Sequence, residues 1–129
     1  MTALTISQVA RRVGLRPSAI RYYEQLGIVA PPARVGGQRR YDDAALSRLM
    51  VVRRARALGF SLPEIRHLFF EFPDGTPAAR RWGELARLKL EQVHGLMAAL
   101  TEQAATLERQ GECGCATLEE CGRCMLDAV

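Results

Sequence analysis

The sequence contains no apolar segment near the roughly 18–20 residues that a membrane-spanning helix needs. Its first fourteen residues also lack the apolar stretch of a secretory signal peptide. There are only two histidines, and no Ser/His/Asp or paired-carboxylate arrangement suited to acid–base catalysis is recognisable. These absences argue against a membrane protein and against an enzyme, and we expect a cytoplasmic protein.

Lysine is nearly absent, and the charge is unevenly distributed. Residues 1–70 hold 12 Arg, no Lys and four acidic residues, which gives a net charge of +8. Residues 71–129 hold six basic and ten acidic residues, which gives −4. An Arg-rich half is typical of proteins that bind phosphate backbones, although an ordinary charged surface has the same composition.

Cysteine is absent from the first 112 residues, and all four cysteines lie at positions 113, 115, 121 and 124. In a chain expected in the cytosol, this clustering favours a metal, an iron–sulfur cluster or redox chemistry over structural disulfides. Thiolates bind copper(I), zinc, mercury or iron–sulfur clusters. Two open alternatives are a metal-free thiol–disulfide switch and a protein that only buffers metal.

Residues 5–26 predict two short helices joined by a turn. Thr5 or Ser7 suits the N-cap of the first helix, and Gly14 ends it. Pro17 suits the first turn of the second helix, and Gly27 ends it. Such a pair forms a helix-turn-helix. Its second helix presents phosphate and base-edge donors interleaved with aromatic rings, namely Arg16, Ser18, Arg21, Tyr22 and Tyr23.

A basic hairpin is predicted directly after these helices. Pro31 and Pro32 exclude a helix, the segment Val35-Gly-Gly-Gln38 is typical of a tight hairpin turn, and Arg39-Arg-Tyr41 forms the return strand. A basic hairpin beside a helix-turn-helix predicts a wing that lies along the DNA backbone or minor groove.

Two further helices complete the predicted basic domain. The first has its N-cap at Asp42, ends at Gly59 and buries Ala45, Leu46, Leu49, Met50 and Val52. The second begins with a capping box formed by Ser61 and Glu64 and buries Ile65, Leu68, Phe69 and Phe70. The turn-rich segment 72–77 marks the end of the domain.

A long helix with a coiled-coil repeat follows. Its apolar residues are spaced alternately four and three apart, at Ala86, Leu90, Val93, Met97, Leu100, Ala104 and Leu107. A helix with one apolar stripe must bury it against another surface. We expect a homodimer seam, while packing onto the N-terminal part of the same chain is the alternative.

Five segments of residues 5–70 together resemble the MerR family of bacterial transcription regulators. They are Ile6-Ser-Gln-Val-Ala10, Ile20-Arg-Tyr-Tyr-Glu24, Leu26-Gly-Ile28, Gln38-Arg-Arg-Tyr41 and Ala57-Leu-Gly-Phe-Ser-Leu-Pro-Glu-Ile65. The resemblance implies a mostly α chain with a winged helix-turn-helix domain (1–72), a linker (73–79), a dimerisation helix forming an antiparallel coiled coil (80–110) and a short Cys-rich sensing tail (111–129). It also implies a homodimer that distorts the spacer of double-stranded promoter DNA for RNA polymerase.

The resemblance also implies individual site residues. The implied DNA contacts are Arg16, Ser18, Arg21, Tyr22 and Tyr23 in the recognition helix, and Arg34, Gln38, Arg39, Arg40 and Tyr41 in the wing, with Arg53 and Arg54 as weaker candidates. Cys113, Cys115 and Cys121 resemble the last three cysteines of SoxR-type sensors, whose pattern is C-x2-C-x-C-x5-C; the first falls at Gln110, and Cys124 is an extra thiol. Cys113 and Cys121 also resemble the two-cysteine loop of copper-sensing members. The implied cofactor is a [2Fe–2S] cluster or a soft metal ion such as copper(I), zinc or mercury, held by these four cysteines.

Overall fold

The computed structural model describes residues 3–129, so residues 1 and 2 of the predicted domain 1–72 lie outside it. The elements in chain order are α1 (Ile6–Val13), α2 (Pro17–Gln25), β1 (Ala33–Val35), β2 (Gln38–Arg40), α3 (Asp43–Ala57), α4 (Leu62–Phe70), α5 (Ala78–Arg109) and α6 (Leu118–Asp127). This confirms the mostly helical class with a small β wing, a long helix and a Cys-rich C-terminal region. The chain divides into two compact units, Met1–Ala86 and Arg87–Val129. None of the helices in the described residues is long and apolar enough to cross a membrane.

Side-chain caps fix where the helices of the first unit begin. Thr5 caps α1 in a capping box with Gln8, and Ser61 caps α4 in a capping box with Glu64. Each box satisfies two backbone N–H groups that a helix start leaves without partners. Gly14 ends α1 in the left-handed conformation at φ 71°, which glycine adopts without a steric penalty.

One apolar core holds the first unit together. Its fully buried side chains come from every helix that precedes α5: Val9 and Val13 of α1, Ile20 of α2, Leu49 and Val52 of α3 and Ile65 of α4. The first turns of α5 join this core through Leu85, and the Trp82 ring lies 6.0 Å from that of Phe60. The predicted buried faces are therefore confirmed at most positions.

Met50 and Phe70 are exceptions, because their side chains are 44% and 47% exposed although the sequence predicted both to be buried. The buried face of α3 runs through Leu46, Leu49, Val52 and Ala55. This spacing of three residues turns the face away from Met50, which lies at the edge of the stripe. Met50 instead borders an open apolar groove.

The wing is a two-stranded antiparallel hairpin with the pairs Ala33–Arg40, Arg34–Arg39 and Val35–Gln38. Its two-residue turn consists of Gly36 at φ 60° and Gly37 at φ 80°. Positive φ at both central positions gives a turn whose twist matches that of the strands. The predicted hairpin is thus confirmed, and it places Arg34, Gln38, Arg39 and Arg40 close together.

The C-terminal region contains more helix than the sequence predicted. Only residues 110–117 form the loop, and α6 begins at Leu118, with the Thr117 hydroxyl accepting a hydrogen bond from the Glu120 N–H. Two of the four cysteines, Cys121 and Cys124, therefore belong to a helix.

Substitutions of Ile20 test whether the core supports the recognition helix. Replacing Ile20 by Ala should lower the free energy of unfolding by about 2–5 kcal/mol, because the lost methyl groups leave a cavity around a fully buried side chain. The matched change Ile20→Val should cost only about 0.5–1.5 kcal/mol. Urea denaturation measures both values, and equal small losses would contradict a tightly packed site.

Candidate nucleic-acid interface and thiol cluster

The outward face of α2 collects the predicted DNA-reading side chains. Arg16, Ser18 and Arg21 are exposed, and Tyr22 is 47% exposed. Pro17 at the start of α2 removes a backbone N–H that the helix would leave unpaired, and the Arg16 backbone is extended. The helix thus presents two guanidinium groups, a hydroxyl and an aromatic ring on its accessible side, a set that suits phosphates and base edges.

The wing adds further donors. Arg34 is exposed and donates from Nη1 to the Gly37 carbonyl at 3.2 Å, which braces the side chain against the turn. Arg40 donates to the Gln38 side-chain oxygen at 3.2 Å. Gln38 is also exposed, so the hairpin carries cations and an amide that phosphate oxygens can reach.

Two tyrosines of the predicted contact set lie in the core instead. The Tyr41 side chain is fully buried, and Tyr23 is only 8% exposed. A fully buried ring cannot reach DNA, so Tyr41 is corrected from a contact to a residue that supports the wing. Burial, followed by its hydrogen bond to Glu24, raises the pKa of Tyr41 to about 12, so its hydroxyl remains a donor.

Glu24 joins the recognition helix to the wing, and the sequence analysis missed it. Its side chain is 7% exposed, and its carboxylate accepts hydrogen bonds from Arg39 at 2.7 Å and from the Tyr41 hydroxyl. Glu24 is the only acidic residue among the first 41, beside seven arginines. That isolation is the sequence signal that could have revealed it.

Two arginines of the basic half, Arg48 and Arg66, donate hydrogen bonds to the backbone of the protein itself. Arg48 donates to the Ile28 carbonyl at 3.3 Å and lies 4.7 Å from the Phe69 ring centre. Arg66 donates to the Leu26 carbonyl. Both carbonyls belong to the turn after α2, so α3 and α4 hold the C-terminal end of the recognition helix.

Arg53 and Arg54, the weaker predicted contacts, are both exposed on α3. The Arg53 guanidinium lies against Gly14 at the end of α1, where an added Cβ would come within 3.1 Å of it. Arg53 is thus placed near the helix-turn-helix, whereas Arg54 borders the apolar groove beside Met50.

The second unit brings the four thiols together. The Cys113 and Cys121 sulfurs lie 3.5 Å apart, and those of Cys115 and Cys124 lie 3.9 Å apart. The sulfurs of Cys113, Cys115 and Cys121 all lie within 4.8 Å of one another. All four are free thiols in the described residues. The loop supplies the first two, and successive turns of α6 supply the other two on one helix face.

The thiols influence one another's protonation. The backbone N–H of Cys115 and the thiol of Cys121 lower the pKa of Cys113, because both stabilise its thiolate. Hydrogen bonding with Cys121 and burial raise the pKa of Cys115 to about 12. The hydrogen bond with Cys113 raises the pKa of Cys121. Cys113 is therefore the first of these three to provide a thiolate.

The sulfur positions fit a thiolate metal centre. A tetrahedral site with metal–sulfur bonds of about 2.3 Å separates its sulfurs by about 3.8 Å. The separations of 3.5 and 3.9 Å lie on either side of that value. Thiol sulfur is the donor that soft and borderline metals prefer, so the donor type and the spacing agree.

Comparison with known proteins identifies the family. Residues 4–70 match the family model of the MerR HTH family regulatory protein, and residues 46–110 match the model described as MerR, DNA binding. This chain belongs to the MerR family. It is a DNA-binding transcription regulator and not an enzyme. Its homologues include, by name, a SoxR homolog and a heavy metal-dependent transcription regulator.

Individual MerR relatives align over most of the chain. The HTH-type transcriptional activator SoxR homolog of Chromobacterium violaceum is 31% identical over 121 residues, which are 93% of this chain and 82% of the relative. The mercuric resistance operon regulatory protein of Pseudomonas fluorescens is 37% identical over 105 residues, which are 81% and 72%. The crystal structure of PbrR691 from Ralstonia metallidurans CH34 in complex with lead(II) matches with a TM-score of 0.69 and 27% identity, covering 91% and 93%.

The buried Tyr41 hydroxyl predicts a change in stability at alkaline pH. Because the folded-state pKa of about 12 exceeds the ordinary 10.0, the protonated Tyr41 contributes stability below pH 10 that is lost as the pH rises towards 12. The free energy of unfolding of the wild type should therefore fall more steeply over this interval than that of Tyr41→Phe. Tyr22→Phe serves as the control and should keep the wild-type slope; parallel curves for wild type and Tyr41→Phe would contradict the assignment.

Proposed function

We propose that this MerR-family regulator reads its signal through one thiolate centre formed by Cys113, Cys115, Cys121 and Cys124 of a single protomer. The centre holds a soft metal ion or a [2Fe–2S] cluster. The observation that carries the proposal is the convergence of these sulfurs, with three of them within 4.8 Å of one another and the fourth 3.9 Å from Cys115.

The loop and α6 suit a ligand-dependent change. Cys113 and Cys121 are exposed or half-buried, and no residue of α6 is buried in the chain by itself. An element with so little core can be ordered by ligand binding, because the binding energy of a metal also stabilises the fold around it. The names of the C. violaceum and P. fluorescens relatives and the lead(II) complex of PbrR691 support a redox or metal signal.

A metal-free thiol switch is the second candidate. The sulfurs fall into two close pairs, Cys113–Cys121 and Cys115–Cys124. Each pair can form a disulfide by giving up two protons and two electrons to an oxidant such as a peroxide. Membership of a regulator family argues against the third alternative, a protein that only buffers metal.

On the DNA side, the proposed contacts are the accessible donors of the recognition helix and the wing: the exposed Arg16, Ser18, Arg21, Tyr22, Arg34 and Gln38, and the half-buried Arg40. We infer that the ligand-bound protein distorts the spacer of double-stranded promoter DNA, so that RNA polymerase reads both promoter elements. This action takes place in the cytoplasm, where promoter DNA and a reducing thiol pool are found together.

We also propose that α5 forms an antiparallel coiled coil with a second copy. Its seam residues Leu90, Val93, Met97, Leu100 and Leu107 are 38–66% exposed in the single chain, and Ala104 is exposed with them. Such a stripe on a 32-residue helix is stable only when a partner covers it. Because the seam lies in Arg87–Val129 and remains exposed there, a partner helix explains it better than internal packing.

The thiolate centre predicts a separation of sensing from DNA binding. Cys113→Ser and Cys121→Ser should each abolish the response to the signal, while the affinity for a duplex of mixed sequence stays within about twofold of wild type, since no DNA contact is altered. Cys124→Ser should weaken metal retention if Cys124 is the fourth ligand. Met125→Leu, next to Cys124, is the matched control.

Anaerobic purification provides the measurement. Iron and sulfide at two each per protomer with visible absorption would identify the [2Fe–2S] cluster, whereas zinc or copper on a colourless protein would identify a thiolate metal site. If the protein retains none of zinc, copper(I) and mercury after titration with each, the disulfide switch is the remaining candidate. The response is measured as transcription from a reporter promoter, which is chosen among the genomic sites that the protein binds. Normal transcription in both Cys→Ser variants would contradict the cysteine sensor itself.

The α5 seam predicts a loss of dimerisation on charging one of its residues. Leu100→Asp should convert the dimer to a monomer and weaken DNA binding, because burying an unpaired carboxylate in an apolar seam costs several kcal/mol. Ala98→Asp introduces the same charge on the opposite face of the helix and should leave the dimer intact. Analytical ultracentrifugation distinguishes the two, and a dimeric Leu100→Asp protein would contradict the seam.

A further inference from the structure

One carboxylate joins the two DNA-reading elements of the first unit. Glu24 lies in the last turn of the recognition helix α2, and Arg39 lies on strand β2 of the wing. The Arg39 Nη1 atom donates to Glu24 Oε2 at 2.7 Å, and the Tyr41 hydroxyl donates to Glu24 Oε1. Both oxygens of the carboxylate are therefore occupied by residues of the wing and its base.

The surroundings make this contact a rigid one. The Glu24 side chain is only 7% exposed, so water cannot compete effectively for its oxygens. Tyr41 is fully buried, and its backbone exchanges two hydrogen bonds of 2.8 Å with Leu4. The chain that follows β2 is thus fixed on its backbone side by Leu4 and on its side-chain side by Glu24.

We propose that Glu24 is a positioning residue of the DNA-binding surface: it fixes the wing against the recognition helix and withholds Arg39 from phosphate contact. The wing cations left for DNA are then Arg34 and Arg40, neither of which has an acidic partner among the ion pairs of the described residues.

The charges of the wing support this assignment. Within the wing, Arg39 is paired at salt-bridge distance with a nearly buried carboxylate, so the pair is neutral. A neutral pair releases no counterion when DNA approaches, whereas an unpaired arginine that neutralises a phosphate does. This inference concerns the DNA-binding half, and it is independent of what the cysteines bind.

The salt dependence of DNA binding tests which wing arginines contact phosphates. The probe is a 30-base-pair duplex of mixed sequence, for which the logarithm of the binding constant is plotted against the logarithm of the NaCl concentration. Arg40→Gln should reduce the slope by about 0.9, the value for one phosphate contact. The double variant Glu24→Gln/Arg39→Gln keeps the net charge and should retain the wild-type slope. Glu24→Gln alone frees Arg39 and should increase the slope by about 0.9.

A second pair of variants isolates the positioning role. Glu24→Ala/Arg39→Ala has the same net charge as Glu24→Gln/Arg39→Gln but cannot form the hydrogen bonds. It should bind the same duplex about fivefold more weakly at one salt concentration, the effect of roughly one hydrogen bond. Thermal unfolding of each variant identifies those that are folded at the assay temperature.

Two results of the binding experiments would overturn the proposal. One is a salt-dependence slope that falls as much in Glu24→Gln/Arg39→Gln as in Arg40→Gln, because Arg39 would then be a phosphate contact. The other is equal affinity of the two double variants, which would remove the positioning role. If a variant unfolds, the wild-type protein is titrated with the duplex and the NMR resonances of the arginine Nε–H groups are followed, with Arg39→Lys assigning that of Arg39. The Arg40 resonance should shift, and the Arg39 resonance should not. A shifted Arg39 resonance contradicts the proposal.

Discussion

Burial of one face of α2 is the constraint on which the proposed DNA-reading surface depends. Ile20 and Tyr23 pack with residues of α1 and α3 in a single core. A helix of nine residues has little stability by itself, so its rotation is determined by the core and not by its own hydrogen bonds. Because Ile20 faces inwards, Arg21 and Tyr22 face outwards together. The reading surface is therefore a consequence of packing.

The basic half carries fewer available cations than its net charge suggests. Arg48 and Arg66 donate to backbone carbonyls after α2, and Arg39 is paired with Glu24. These guanidinium groups connect elements of the domain, a role that suits arginine because it has five donors in a planar arrangement. A composition that resembles a phosphate-binding surface thus also contains the bonds that keep that surface in shape.

The features that were predicted well from the sequence are those that depend on neighbouring residues. The capping box at Ser61, the end of α1 at Gly14 and the Gly36–Gly37 turn depend on residues within four positions of one another. The contact between Glu24 and Tyr41 spans 17 residues, and no local pattern encodes it. The cysteine spacing predicted a cluster, but the pairing of sulfurs depends on where α6 begins, which the sequence alone did not reveal.

The near absence of lysine has a consequence for regulation. Residues 1–70 contain 12 arginines and no lysine, and the one lysine of the chain is Lys89 on α5. A guanidinium keeps its proton at any pH that a cell reaches, and acetylation acts on the ε-amino group of lysine. This domain therefore offers no lysine ε-amino group to acetyl transfer, and lysine acetylation cannot lower its positive charge. Among the ways of weakening its attraction for DNA, neutralising a lysine is thus closed to this domain.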